Sequence, residues 1–476
     1  MRTMFGKYNI RKLLSENYPL LSILVGITLV SISIGPFQNW DTDYELQAAA
    51  GVIKWSMPFT TFGKIINQPP LGFYVEALFL RIFGASINMG SWLITLFGLG
   101  STVLVYLIGK ELYGNPTGLA AAALFALTPW ELVLSRSFLI DAQCLFLSLL
   151  CLYVGIFAIR TNAIKLAFVS GVFFAASFLT KYFAVFILIP LLLLYVYCKP
   201  KIFKIILRQL TVFIVPAFLC SLIWYQVVLH QGVLYIFHNS DFSLLNPEGV
   251  IPSYAFALTF LRNYGLGYFF VVAVVFSLFV FFFFRKESLK LYIFDLICLG
   301  TIVPIVIVNT LLGAGLNLLS PYTNAIKYDY FALPFFCLVA GSLVGKCLTL
   351  FNSRKVETKP RNRLILAFIV TSAMLLAAIL IVDFLCARYL SLSKYLLFKT
   401  QMNQGSGYSF FNYTPTSPGS VQMNIQYAGF AVLLSGFSWV SRSKIRNYCR
   451  NSFKPNVRVD WNRKMLKLSR DQNVRI

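Results

Sequence analysis

Trp40-Asp41-Thr42-Asp43-Tyr44-Glu45 places three carboxylates within five residues, directly after the apolar run from Pro19 to Pro36. About twenty residues further on stands Asn67-Gln68-Pro69-Pro70-Leu71. Acid of this density at the point where an apolar helix ends has one meaning in a soluble protein and another at a membrane surface, so the rest of the chain decides how it is read.

Composition settles that choice. The 476 residues are 58% hydrophobic, 16% aromatic and only 12% charged, against about 25% charged in soluble domains. Runs near the ~20 residues needed to cross a bilayer recur at 19–36, 90–108, 117–134, 138–159, 164–179, 182–197, 210–229, 266–284, 291–311, 330–344, 364–385 and 421–440. The expected fold is therefore an all-α, polytopic membrane protein with about twelve transmembrane helices.

With the N-terminus placed in the cytoplasm and one crossing per run, the inner segments hold 31 of the chain's 41 lysines and arginines. That is the asymmetry of the positive-inside rule, and it puts both termini in the cytoplasm. The net charge of +24 then reads as lipid-facing charge. The tail carrying Arg442, Lys444, Arg446, Arg450, Lys454 and Arg458 is expected to grip anionic headgroups, with no nucleic acid as partner.

The nine cysteines fall mainly in apolar runs without a paired or metal-ligand spacing, so they read as small core residues and imply no redox compartment. The first run has basic flanks but no small-residue cleavage site, which reads as a retained helix. The expected organisation is a basic cytoplasmic N-terminus (1–18), a membrane domain (19–350) with a first outside loop (37–89), a cytoplasmic linker (351–363), a terminal helix pair (364–440) with an outside loop (386–422), and a basic cytoplasmic tail (441–476). Within the first loop, 70–83 is apolar but short, with Glu76 and Arg81 as its only charges, and is expected to lie as an interfacial helix.

Charge placement narrows the class. Asp41, Asp43, Glu45, Asp141, Lys181, Lys327 and Asp329 all collect at outside helix ends, whereas transporters place ionisable groups near the midplane. One site at the outer surface, walled by apolar helices, suits a substrate with a polar head and a lipid tail.

The stretches Trp40 to Ala49 and Gln68 to Tyr74, closing on Leu80-Arg81-Ile82-Phe83-Gly84, resemble the first outside loop of the GT-C glycosyltransferases. The branch they look like is that of the protein O-mannosyltransferases and lipid A aminoarabinose transferases. Further agreement comes in order from Tyr113 to Ala121 with Thr128-Pro129, from Ser135-Arg136-Ser137-Phe138-Leu139-Ile140-Asp141-Ala142, from Leu179-Thr180-Lys181-Tyr182, and from Tyr330-Phe331-Ala332-Leu333-Pro334. The resemblance covers residues 20 to about 350.

It implies transfer of a sugar, with mannose first, from a polyprenyl or dolichyl phosphate to an acceptor on the non-cytoplasmic side, with inversion. Phosphate leaves without being protonated, so one carboxylate suffices as base, while positive charge or a metal steadies the leaving oxygens. The resemblance puts Asp41 at the position of the base. Asp43 as base and an acidic helix cap remain the alternatives, and Thr42 stands where the family carries Glu.

Asp141 with Arg136 forms a second constellation, either of the site or a salt bridge capping a helix. Lys181 is the candidate for the carrier phosphate, against a snorkelling reading, and Lys327 stands near a family arginine. Tyr44, Gln68, Pro69 and Pro70 support the first loop, with Gln68 where relatives carry His or Lys. His238 with Asp241 is a weak divalent-metal candidate, and no cofactor is otherwise implied. The acceptor is open among glycolipid, glycan and protein hydroxyl. The expected location is the cell membrane, or the endoplasmic reticulum in a eukaryote. Rival readings are a transporter or flippase of lipid-linked sugars and a non-catalytic relative.

Overall fold

The computed structural model describes residues 20–28, 40–59, 68–128, 131, 134–198, 203–228, 273–274, 285–314 and 330–352. Among them the chain is helical and forms no β-strand. Residues 20–28 are helical, followed in chain order by α1 (Trp40–Trp55), α2 (Leu71–Phe83), α3 (Ile87–Tyr113), α4 (Asn115–Leu127), α5 (Ile140–Thr161) and α6 (Ile164–Thr180). A 3-10 segment (Tyr182–Ile187) leads into α7 (Leu188–Cys198), and α8 (Phe203–Leu222) ends in a π-helical turn (Ile223–Val228). Last come α9 (Arg285–Ala314) and α10 (Leu333–Asn352).

Three described stretches are long and apolar enough to cross a membrane: Ile87–Tyr113, Ile140–Thr161 and Leu207–Gln226. The apolar segment expected at the interface is α2, which packs on α1. Two runs read from sequence as single spans are built differently. The run 117–134 is interrupted after Leu127, because Pro129 disfavours helical backbone at Thr128, which is extended (ψ 122°), and it is helical again at Glu131 and Leu134. The run 182–197 starts as the 3-10 segment, with Lys181 extended before it (φ −158°).

Helices α5 and α6 form a hairpin turned by Asn162 in the left-handed region (φ 55°). Small polar residues line their contact. Ser148 and Ser177 hydroxyls lie 2.6 Å apart, Ser177 donates to the Cys144 carbonyl at 2.8 Å, and Ser170 donates to the Cys151 carbonyl at 2.8 Å. In lipid, where burial of apolar surface gives helices no drive to associate, such bonds and close approaches hold them together. Glycines supply the approaches. A Cβ on Gly171 of α6 would stand 2.2 Å from the Phe213 carbonyl oxygen of α8, and one on Gly341 of α10 2.7 Å from the Ala121 nitrogen of α4. At the other end of the hairpin, Arg160 pairs with Glu111 and donates to its backbone carbonyl at 2.8 Å, fastening α5 to the end of α3. The first turn of α5 and the last turn of α6 thus meet at the opposite end, where α1 and α2 lie against them.

Candidate functional site

Helix α5 opens without a side-chain cap, since Leu139 occupies the N-cap position. Its first donor is satisfied from elsewhere: the Ile140 N–H donates to Glu45 Oε2 of α1 at 2.8 Å. A carboxylate at a helix N-terminus is favoured by the unpaired N–H groups and the helix dipole. This bond joins residues 95 apart and sets α1 on the start of α5.

The next residue of α5, Asp141, is 1% exposed, and its two carboxylate oxygens accept from Lys181 Nζ at 2.8 and 2.7 Å. Lys181 is itself 4% exposed and follows directly on α6. Two opposite charges at this depth compensate each other's loss of hydration only in such close geometry. Sequence spacing favours Arg136 as the partner of Asp141, and the structure instead gives Asp141 to Lys181. Arg136 is buried, donates to Thr95 Oγ1 at 3.2 Å and lies 4.8 Å over the Trp92 ring. Thr95 in turn donates to the carbonyls of Ser91 and Ser135, so α3 fixes the turn that carries Arg136.

Asp41 falls in the first turn of α1, and its side chain lies outside the described residues. Asp43, one position beyond the buried Thr42, is exposed. A fully buried position suits a hydroxyl better than an unpaired carboxylate. Tyr44 packs beside Ala48, Phe73 and Ile140, joining α1, α2 and α5. Pro69 and Pro70 are buried at the start of α2, and the side-chain oxygen of Gln68 is buried without a hydrogen-bond partner. Lys327, His238 and Asp241 lie outside the described residues, within which no group of three or more His, Cys, Asp or Glu comes together.

Two further acids belong to this end of the helices. Glu131, helical and just beyond α4, is 1% exposed and accepts from the Tyr330 hydroxyl, which links it to the Tyr330-Phe331-Ala332-Leu333-Pro334 motif. Tyr330 also lies within electrostatic reach of Asp141. Glu76 of α2 is fully buried. Sequence reading does not reach Glu131, although an acid inside an apolar run is a functional-site signal in its own right.

Beside Lys181, the Tyr182 hydroxyl meets that of Tyr225 in the π-helical turn, and Trp224 stands edge-on to Tyr74 at 6.3 Å. Tyr74 donates to the Ser56 carbonyl at 2.8 Å. These rings join α2, the 3-10 segment and the end of α8 into one wall. The arrangement therefore offers a fixed buried ion pair, a carboxylate cap, a guanidinium held in place and an acidic first turn of α1, all at one end of a helical bundle. Such a set can hold an anionic head group and carry one proton transfer.

Residues 67–224 match the family model described as dolichyl-phosphate-mannose-protein mannosyltransferase. The protein named "Putative mannosyltransferase YkcB" of Bacillus subtilis (strain 168) is 28% identical over 189 residues, covering 36% of this chain. The match spans 26% of that relative's own length. Among solved structures, ArnT from Cupriavidus metallidurans bound to undecaprenyl phosphate superposes with a TM-score of 0.52 at 14% identity, covering 90% of this chain and 78% of ArnT. Apo ArnT gives 0.51 at 12% identity, covering 89% and 77%. At these identities the likeness is one of fold.

Proposed function

We propose that this chain is a glycosyltransferase of the GT-C kind and moves a sugar from a polyprenyl or dolichyl phosphate carrier to an acceptor hydroxyl on the non-cytoplasmic face. The observation that carries the reading is the buried Lys181–Asp141 pair, tied through Ile140 and Glu45 to the helix that holds Asp41. It lies within or against the segment that matches the mannosyltransferase family model. That ArnT is solved with undecaprenyl phosphate supports a lipid carrier of this kind.

In this reading Asp41 takes the proton from the acceptor hydroxyl as that oxygen attacks the anomeric carbon. The bond from that carbon to the carrier phosphate breaks, the phosphate leaves as an anion, and configuration inverts. A phosphate leaving group requires no acid partner. Arg136 and Lys327 supply positive charge to the phosphate. Lys181 contributes through the rigid ion pair, which holds a compensated charge close to the phosphate position. Asp43, exposed on the same turn, is the alternative base. Mannose is the first sugar to test, and the acceptor class is a glycolipid, a glycan or a protein hydroxyl.

The same reading extends to the whole chain as about twelve spans with both termini cytoplasmic. Its catalytic membrane domain is 19–350, followed by a cytoplasmic linker (351–363), a terminal helix pair (364–440) and a basic cytoplasmic tail (441–476). Donor class is the test. The purified protein in lipid receives radiolabelled mannose on a polyprenyl phosphate or on a nucleotide, with a mixed lipid and peptide acceptor fraction. Label is expected to move from the lipid donor alone. Transfer from the nucleotide donor, with none from the lipid donor, refutes the reading.

A further inference from the structure

Glu76 is a buried acid without a hydrogen bond. It stands on the buried face of α2 with Gly72, Phe73, Ala77 and Leu80, is 0% exposed, and neither carboxylate oxygen has a partner. One turn earlier on that face, a Cβ added to Gly72 would meet Ile140 Cγ2 at 2.5 Å and Thr180 Cγ2 at 3.2 Å. This face of α2 therefore presses on the place where α5 begins and α6 ends. The charge that acts on Glu76 is that of Glu45, whose Oε2 caps Ile140 at 2.8 Å.

An unpaired carboxylate at this depth is untenable beside a second acid whose charge acts on it; a proton on one of the two removes the difficulty. Glu45 has a donor and a helix N-terminus to favour its charge. Glu76 has neither. We propose that Glu45 and Glu76 form a buried carboxyl pair carrying one proton, in which ionised Glu45 caps α5 and neutral Glu76 holds α2 against the same point, so that the pair positions α1 at the Asp141–Lys181 site. Only its link to turnover rests on the glycosyltransferase reading.

The groups around Glu76 are few. Helix α1 presents Glu45, with Asp43 exposed; α5 presents Asp141, which Lys181 at the end of α6 compensates. Helix α3 carries no charged residue before Lys110, and Arg81 on α2 itself is exposed. Burial first, and then the charge of Glu45, raise the Glu76 carboxyl well above its ordinary value of 4.5. The unfolded chain returns it to that value. The protonated form thus contributes stability that is complete below the ordinary carboxylate range and is lost as pH rises towards the folded value.

The test uses the full chain in lipid nanodiscs, with the apparent melting temperature followed from about pH 5 to 9. Wild type and Glu76→Gln are expected to melt alike at the acid end. As pH rises wild type falls and the variant does not follow, opening a gap of a few degrees. Glu45→Gln removes the like charge, so its fall with pH is shallower than wild type's whatever its starting stability. Sugar transfer is followed on the same samples. Diverging melting curves with no transfer in any sample support the pair and count against the glycosyltransferase reading alone. Parallel curves for wild type and Glu76→Gln, or an undiminished fall in Glu45→Gln, overturn the pair.

Discussion

Lys181→Met is expected to lower the stability of the protein by about 3–5 kcal/mol, the cost of leaving one member of a buried ion pair alone. Methionine keeps the length of the side chain and removes its charge. Asp141 is then 1% exposed with both oxygens stripped of the donor that held them. The double change Lys181→Met with Asp141→Asn is expected to regain most of the loss, because no net charge is left in the apolar surroundings. Unfolding of the two variants in lipid, by heat or denaturant, measures the coupling directly. A single variant as stable as wild type shows that the pair contributes nothing to the fold.

The second large effect falls on turnover. A positioned general base contributes roughly 10²–10⁴-fold to a proton-transfer step, and Asp41→Asn keeps the shape and polarity of the side chain while removing its basicity. Transfer is expected to drop by about that factor with carrier affinity unchanged. Asp43→Asn, on the same turn but exposed, is expected to change transfer little. Steady-state transfer and equilibrium binding of the polyprenyl phosphate separate the two effects. The reverse ranking assigns the base to Asp43, and equal small effects remove both from the chemistry.

Much of the helical plan is legible in the sequence because apolar length is a strong signal. The runs 90–108, 138–159 and 164–179 fall within a few residues of α3, α5 and α6, and α2 fills the short apolar segment 70–83. What hydropathy does not see is backbone geometry. It runs through Thr128-Pro129 without marking the break, and through Tyr182 to Ile187 without separating 3-10 from α. At the candidate site the charged residues are visible in the sequence and their partners are not. Arg136 stands five residues from Asp141, whereas Lys181 arrives from forty residues away because the α5–α6 hairpin folds it back. The tie between Glu45 and Ile140 is equally non-local. Its trace in the sequence is faint: Thr42, Glu45, Ala48 and Ala49 are buried at helical spacing, with two polar residues on a face that hydropathy scores as poor.

The central claim is that the carrier phosphate sits where α5 begins and α6 ends. A polyprenyl phosphate bearing a photoreactive group next to its phosphate, cross-linked to the protein in lipid and mapped by mass spectrometry, tests it most directly. Label is expected on peptides containing Arg136 to Asp141 and Lys181 to Ile187, and it is expected to be displaced by unmodified polyprenyl phosphate. Displaceable label concentrated at the opposite end, around Glu111 and Arg160, contradicts the account.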